Sequence, residues 1–178
     1  WHGYFNVPAW LDGLIAQGAK WAATPKELAA QSDVVFAIVG FPADVRECFL
    51  GTNGALAGAK AGTVFVDMTT SDPSLAVEIA DAAKKIGCES VDAPVSGGGT
   101  GAEAGTLSIM VGGEAAVLDR VRPLFEVLGK TIVHIGGNGA GQVAKACNQM
   151  IMVAAIEAAA EAMRLAAAAG VDSEKVRE

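Results

Sequence analysis

Residues 63–95 read TVFVDMTTSDPSLAVEIADAAKKIGCESVDAPV, and the fold is decided there. A short Val-rich run at 63–68, a helix start signal at Asp72-Pro73, an amphipathic segment closing at Gly87 and a second apolar run at 89–95 spell strand, helix, strand. The alternation continues outward. DVVFAIVG (33–40), TLSIMVG (106–112) and TIVHIG (131–136) are further strand candidates, while PADVRECFL (42–50) and GEAAVLDRVRPLFEVLG (113–129) are further helix candidates. Such regular succession predicts an α/β fold, a doubly wound, mainly parallel sheet with helices on both faces.

The last element differs. From 139 to 169 there is no Pro and no Gly after Gly141, and the Ala-rich composition predicts one helix of roughly 30 residues, about 45 Å long. That exceeds the thickness of a small domain, so the helix is expected to run out of the α/β body. VDSEKVRE (171–178) then reads as a fresh helix capped at Asp172 or Ser173. The chain divides accordingly into 1–137 and 138–178. Its beginning is harder to read: Trp1, Tyr4, Phe5, Trp10 and Trp21 are half of the ten aromatics, and WHGYFNVPAW has neither strand alternation nor a helical stripe.

Composition excludes several classes. A net charge of −7 with no concentration of Lys and Arg argues against a nucleic-acid partner. Cys48, Cys88 and Cys147 are odd in number and far from His at ligand spacing, so neither a disulfide framework nor a metal site is expected, and a reducing cytoplasmic setting fits. No signal peptide is recognisable. The one near-membrane stretch, 150–169, carries Glu157, Glu161 and Arg164, each too costly at a bilayer centre for a membrane span.

Within DAPVSGGGTGAEAG (92–105), Gly99, Gly101 and Ala104 fit the G-x-G-x-x-G/A fingerprint of a dinucleotide turn, with Asp119 twenty positions on. A pyrophosphate turn must lead into a helix whose free N–H groups face the phosphates. Here only three residues follow before Gly105 and the next strand, so the match reads as a decoy. GGNGAGQ (136–142) opens a helix but has the wrong spacing. The stretch from Ser96 through Gly97, Gly98 and Gly99 offers instead a hydroxyl and backbone N–H groups suited to a carboxylate. On the long helix, Lys145, Asn148 and Gln149 stand at i, i+3 and i+4, on one face that continues through Met152, Ile156 and Ala159. An ammonium and two amides on such a face are costly to bury unless something polar meets them. The alternative is that Lys145 snorkels to water while the amides bond loop backbone.

Taken together, VDMTTSDP (66–73), VDAPVSGGGTGAEAGTLSIMVGG (91–113) and GNGAGQVAKACNQM (137–150) resemble the β-hydroxyacid dehydrogenase family, the group of 3-hydroxyisobutyrate dehydrogenase, tartronate semialdehyde reductase and 2-(hydroxymethyl)glutarate dehydrogenase. The likeness runs over about nine-tenths of the chain with the motifs in the family's order. It implies a Rossmann-type domain binding NAD or NADP, an interdomain helix, and an all-α domain used for closure and assembly into a homo-oligomer, dimer or tetramer. It implies further that Ser96, Gly97 and Gly98 hold a small carboxylate substrate, that Lys145 is the catalytic acid/base, and that Asn148 and Gln149 orient the substrate. Val39, Gly40, Phe41 and Pro42, with Thr70, would line the cofactor. Read without the resemblance, Thr70 could simply cap the helix at Asp72, and Gly40 and Pro42 could be strand-end punctuation.

The sequence also departs from the family. No strand and Gly-rich turn precede Trp1, and Asn6 is followed by Val7 where an arginine for the NADP phosphate often stands, which leaves NAD versus NADP open. The chain therefore reads as truncated at both ends. Two rival readings are a non-catalytic nucleotide-binding or interaction module derived from the family, and an imine reductase relative. Retention of Lys145 and Asn148 argues against the first, and the full set of Ser96, Lys145 and Asn148 against the second.

Overall fold

The computed structural model describes residues 8–177, with side chains from 12 onward. Trp1, Tyr4, Phe5, Asn6 and Val7 lie outside that range. In chain order the elements are α1 (Pro8–Ala16), α2 (Pro25–Ala29), β1 (Val34–Ala37), α3 (Pro42–Leu50), a 3-10 turn (Ala55–Ala57), β2 (Val64–Asp67), α4 (Pro73–Lys85), β3 (Glu89–Asp92), β4 (Val95–Ser96), α5 (Gly98–Glu103), β5 (Leu107–Gly112), α6 (Ala115–Leu128), β6 (Gly129–Gly136), α7 (Ala140–Ala168) and α8 (Ser173–Arg177).

One sheet carries them, in the order β1-β2-β3-β5-β4, with β6 also paired to β5. Strands β1, β2 and β3 are parallel and in register, so that Ala37, Asp67 and Asp92 lie side by side at their carboxyl ends. β5 runs antiparallel to β3, meeting it only through Asp92 and Gly112, and β6 runs parallel to β5. The sheet is thus mostly parallel, as expected, with one reversal. Alternate strand residues feed two cores. Val64, Val66, Val91, Ile109 and Val111 pack under Val117, Leu118, Val121 and Phe125 of α6. Val35, Phe65 and Cys88 pack under Val45 and Phe49 of α3 and Leu75, Ile79 and Ala83 of α4.

Some expectations change in detail. The run 89–95 is two strands, because the chain leaves β3 at Ala93-Pro94 and continues as β4 alongside β5. Proline has no N–H to offer a ladder, which favours a break at that point. The glycines of the apparent fingerprint lie inside the six-residue α5 rather than in a turn leading into a helix. The segment holding Pro8, Ala9 and Trp10 is helical although no stripe marks it, Pro8 taking the first helical position. α2 was also unforeseen, yet its signal is present: Thr24 accepts from Glu27 N at 3.1 Å, and Glu27 answers by accepting from Ala23 N.

α7 is a single 29-residue helix. Its first turns are buried against the sheet, whereas Met150, Ile151, Val153, Ile156 and Leu165 are all exposed, so beyond Met150 it leaves the body. Asp172 starts α8 by accepting from Glu174 N at 3.1 Å. No helix among the described residues is long and apolar enough to cross a membrane.

The contact between α7 and β5 tolerates no side chain at Gly141. A Cβ there would collide with the Met110 carbonyl oxygen and lie 2.8 Å from that of Asp92, both backbone atoms that cannot swing aside. Gly141→Ala should destabilise the fold by about 2 kcal/mol or more through forced separation of helix and sheet. Urea denaturation of the variant beside wild type measures this, and an unchanged midpoint would refute the close approach.

Candidate active site

Three segments are tied together beyond the carboxyl ends of β1, β2 and β3, the edge at which open α/β sheets bind ligands: the loop after β1 (Val39, Gly40 and Phe41), the loop after β2 (Thr69, Thr70 and Ser71) and the root of α7.

Asp92 joins the last element of the set to the sheet. Its side chain, only 2% exposed, accepts from Gly139 N at 2.7 Å and Gln142 N at 2.9 Å, the free amides at the start of α7. Burial pushes its carboxyl above the ordinary value of 3.8, while those backbone donors pull the other way. Gln142, 1% exposed, makes the second attachment: its Oε1 accepts from Ser71 N at 2.8 Å and its Nε2 donates to the Thr69 carbonyl at 2.7 Å. Asn138 adds a third by donating to the Ser90 carbonyl at 2.7 Å.

One turn past Gln142 stands Lys145. Its side chain is buried, no carboxylate pairs with it among the described residues, and burial alone lowers its pKa from 10.5. Asn148 and Gln149 follow on the same helix, both half-buried, and Asn148 Oδ1 is buried with no partner among the described residues. Across the edge, Ser96 closes β4 opposite Ser108 of β5. Gly97 and Gly98 follow with φ of 138° and 61°, values that exclude most side chains and turn their exposed backbone outward. The structure ties the helix of Lys145 to the β2 loop through Gln142, and no hydrogen bond joins Ser96 to Lys145 among the described residues.

On the β1 side, Val39 is half-buried while Gly40, Phe41 and Pro42 are exposed. Phe41 N donates to Asp44 Oδ2 at 2.8 Å, and Pro42 opens α3, so Phe41 and Pro42 do start a helix while leaving the Phe41 ring 74% exposed. Thr70 is exposed and does not cap α4; Asp72 does, accepting from Ser74 N at 2.6 Å. Next to Thr70, Ser71 Oγ is buried without a partner among the described residues. Exposed apolar Ile38 and Phe41 together with an orphaned hydroxyl fit a flat aromatic amide such as the nicotinamide end of a dinucleotide.

Sequence reasoning passed over Asp67, Thr69, Asp92 and Gln142. For Asp67 and Asp92 the visible signal was a carboxylate closing an apolar strand, whereas Thr69, after the strand, and Gln142, at the start of α7, carried none. Asp67 is 3% exposed and lies beside Asp92 in the strand register. Burial first, with Asp92 adding to it, pushes its carboxyl up to about 6 against the pull of hydrogen bonds from Thr69.

Residues 3–136 match the family described as the NAD binding domain of 6-phosphogluconate dehydrogenase, and residues 139–178 that described as "NAD-binding of NADP-dependent 3-hydroxyisobutyrate dehydrogenase". The chain is 44% identical over 165 residues to an oxidoreductase of Bacillus subtilis, YkwC, covering 93% of this chain and 57% of that protein. It is 43% identical over 167 residues to the 2-hydroxy-3-oxopropionate reductase of Escherichia coli, covering 94% and 57%. It superposes on a Mycobacterium tuberculosis 3-hydroxyisobutyrate dehydrogenase solved with L-serine at a TM-score of 0.83 and 38% identity, over 93% of this chain and 56% of that one. The chain therefore spans a little over half the length of these relatives.

The buried Asp67 makes stability depend on pH. Its folded value of about 6 exceeds the ordinary 3.8, so the folded state holds the proton more tightly. The resulting stabilisation is complete below about pH 3.8 and is lost as pH rises through about 6, amounting to roughly 3 kcal/mol. Asp67→Asn, whose Oδ1 can still accept from Thr69 N, should remove this fall and be at least as stable as wild type at pH 7. Urea unfolding across pH 4 to 7 reads the difference, and identical slopes for the two proteins would contradict it.

Proposed function

The chain belongs to the β-hydroxyacid dehydrogenase family, and we propose that it serves an NAD- or NADP-dependent oxidoreductase interconverting a short β-hydroxyacid and its semialdehyde. The observation that carries this reading is Lys145: a buried lysine with no carboxylate partner among the described residues and a pKa lowered by burial, on a helix anchored at the carboxyl edge of the sheet. A bound nicotinamide supplies or takes the hydride.

The remaining chemistry falls to this chain. Oxidation needs a base for the hydroxyl proton and reduction needs an acid for the forming alkoxide; Lys145 Nζ serves both, as amine and as ammonium. In water a lysine is almost wholly protonated near neutrality, so burial is what brings the amine within reach. Asn148, whose Oδ1 is buried without a partner among the described residues, orients the substrate by donating from Nδ2 to the hydroxyl oxygen, which leaves the hydroxyl proton for Nζ. Ser96 Oγ and the backbone N–H groups of Gly97 and Gly98 hold the carboxylate, and Gln149 steadies it from the helix side. Phe41 and its neighbours Val39, Gly40 and Pro42, with Thr70, bound the nicotinamide end.

Substrates of the 3-hydroxyisobutyrate or 2-hydroxy-3-oxopropionate type are favoured by the names of the relatives. A cytoplasmic homo-oligomer, in which the exposed far part of α7 packs into a further α-helical domain, completes the reading.

The full-length protein should oxidise at least one member of a panel of short β-hydroxyacids, followed by the absorbance of reduced nicotinamide with NAD and NADP in turn. Lys145→Arg should keep the substrate KM within several-fold and lose about 10²- to 10⁴-fold in kcat. In wild type, kcat/KM for oxidation should rise with pH along a limb centred below 10.5, and Lys145→Arg should lack it. Near-normal turnover of the arginine variant would eliminate the proposed role.

A further inference from the structure

Thr69 is 2% exposed and uses its three polar groups on three different segments. Its N–H donates to Asp67 Oδ1 at 3.0 Å, within its own strand end. Its Oγ1 accepts from Val39 N at 2.9 Å, in the loop after β1. Its carbonyl accepts from Gln142 Nε2 at 2.7 Å, on α7. Gln142 returns its other end to the Ser71 N–H. A continuous line of hydrogen bonds therefore runs from the loop on the nicotinamide side, through Thr69, to the helix that carries Lys145.

We propose that Thr69 and Gln142 are positioning residues: together they tie the β1 loop to α7 and set the separation between the cofactor side of the site and the Lys145 amine. The inference rests on the function proposed above. The two halves of the tie do different things. Asp92 grips α7 at its terminal amides, close to the helix axis, which fixes where the helix begins but resists rolling poorly. Gln142 attaches off the axis, through a side chain one turn before Lys145 and on its face, so it opposes roll. A roll of roughly 15° would carry a group about 6 Å from the axis through about 1.5 Å, and misplacement near 1 Å can cost about 10²-fold in rate. The Thr69 hydroxyl, in contrast, satisfies the Val39 N–H and holds the loop that meets the cofactor; without it that amide is left unpaired and half-buried.

The two substitutions should therefore separate kinetically in the full-length protein. Gln142→Leu, which removes both amide bonds at similar volume, should lower kcat by roughly 30- to 100-fold while the cofactor dissociation constant stays within about threefold. Thr69→Val, which deletes the acceptor for Val39 together with the hydroxyl's bond to Asp67, should raise the cofactor dissociation constant about five- to tenfold with substrate KM nearly unchanged, and Thr69→Ser should restore it to within about twofold. Should Gln142→Leu fail to fold, Gln142→Glu carries the same test, since it keeps the acceptor for Ser71 and loses the donor to Thr69. Parallel losses in kcat and cofactor affinity in both variants, tracking their thermal midpoints, would overturn the proposal, as would wild-type values in either. If wild type turns over no hydroxyacid yet binds dinucleotide, the proposed function fails while the tie is still tested by cofactor affinity in Thr69→Val and Thr69→Ser.

Discussion

The carboxylate of Asp92 on the amides that open α7 is the interaction from which the rest of the site follows. A buried acid at the end of a central strand is unfavourable unless donors meet it, and a buried helix start is unfavourable unless acceptors meet it. Each resolves the other's deficit, at 2.7 and 2.9 Å. The pairing also dictates the neighbours. Gly112 and Gly141 must lack side chains because a Cβ on either would fall within 2.8 Å of an Asp92 oxygen. Once the helix start is fixed at the carboxyl edge, three and four residues per turn deliver Gln142 to the β2 loop and Lys145 beyond it.

A polar seam thus runs through an otherwise apolar sheet edge. Asp67 and Asp92 occupy adjacent register positions, and Asp92 adds to the burial that makes ionisation of Asp67 harder. Lys145 lies further along α7 with no carboxylate partner among the described residues. Keeping the acids bonded to backbone amides rather than to the amine matters. An ion pair would raise the lysine's pKa and oppose the effect of burial.

Much of the fold was legible because it depends on local patterning. Val-rich runs, Asp72-Pro73 and the Gly- and Pro-free stretch after Gly141 each encode their element directly, and each appears as expected. What escaped depends on tertiary geometry. Nothing local announces that β5 reverses against β3 or that α5 encloses the decoy glycines. Within the site, the motif residues Ser96, Lys145 and Asn148 stand out by their chemistry on apolar or glycine-rich backgrounds. Asp92, Thr69 and Gln142 do not, because their partners are backbone groups 47 to 73 positions away or in a neighbouring loop. Of two adjacent threonines in the loop after β2, Thr69 is buried and Thr70 exposed, a distinction that nothing local in the sequence states.

The exposed far part of α7 gives its anchorage one more meaning. Over about 44 Å of helix, an angular error of one degree at Gly139 displaces the tip by about 0.8 Å. Whatever docks near Leu165 is thereby aimed from the opposite end of the rod, like a pointer set at its hub. The accuracy of that aim is decided within a single buried turn.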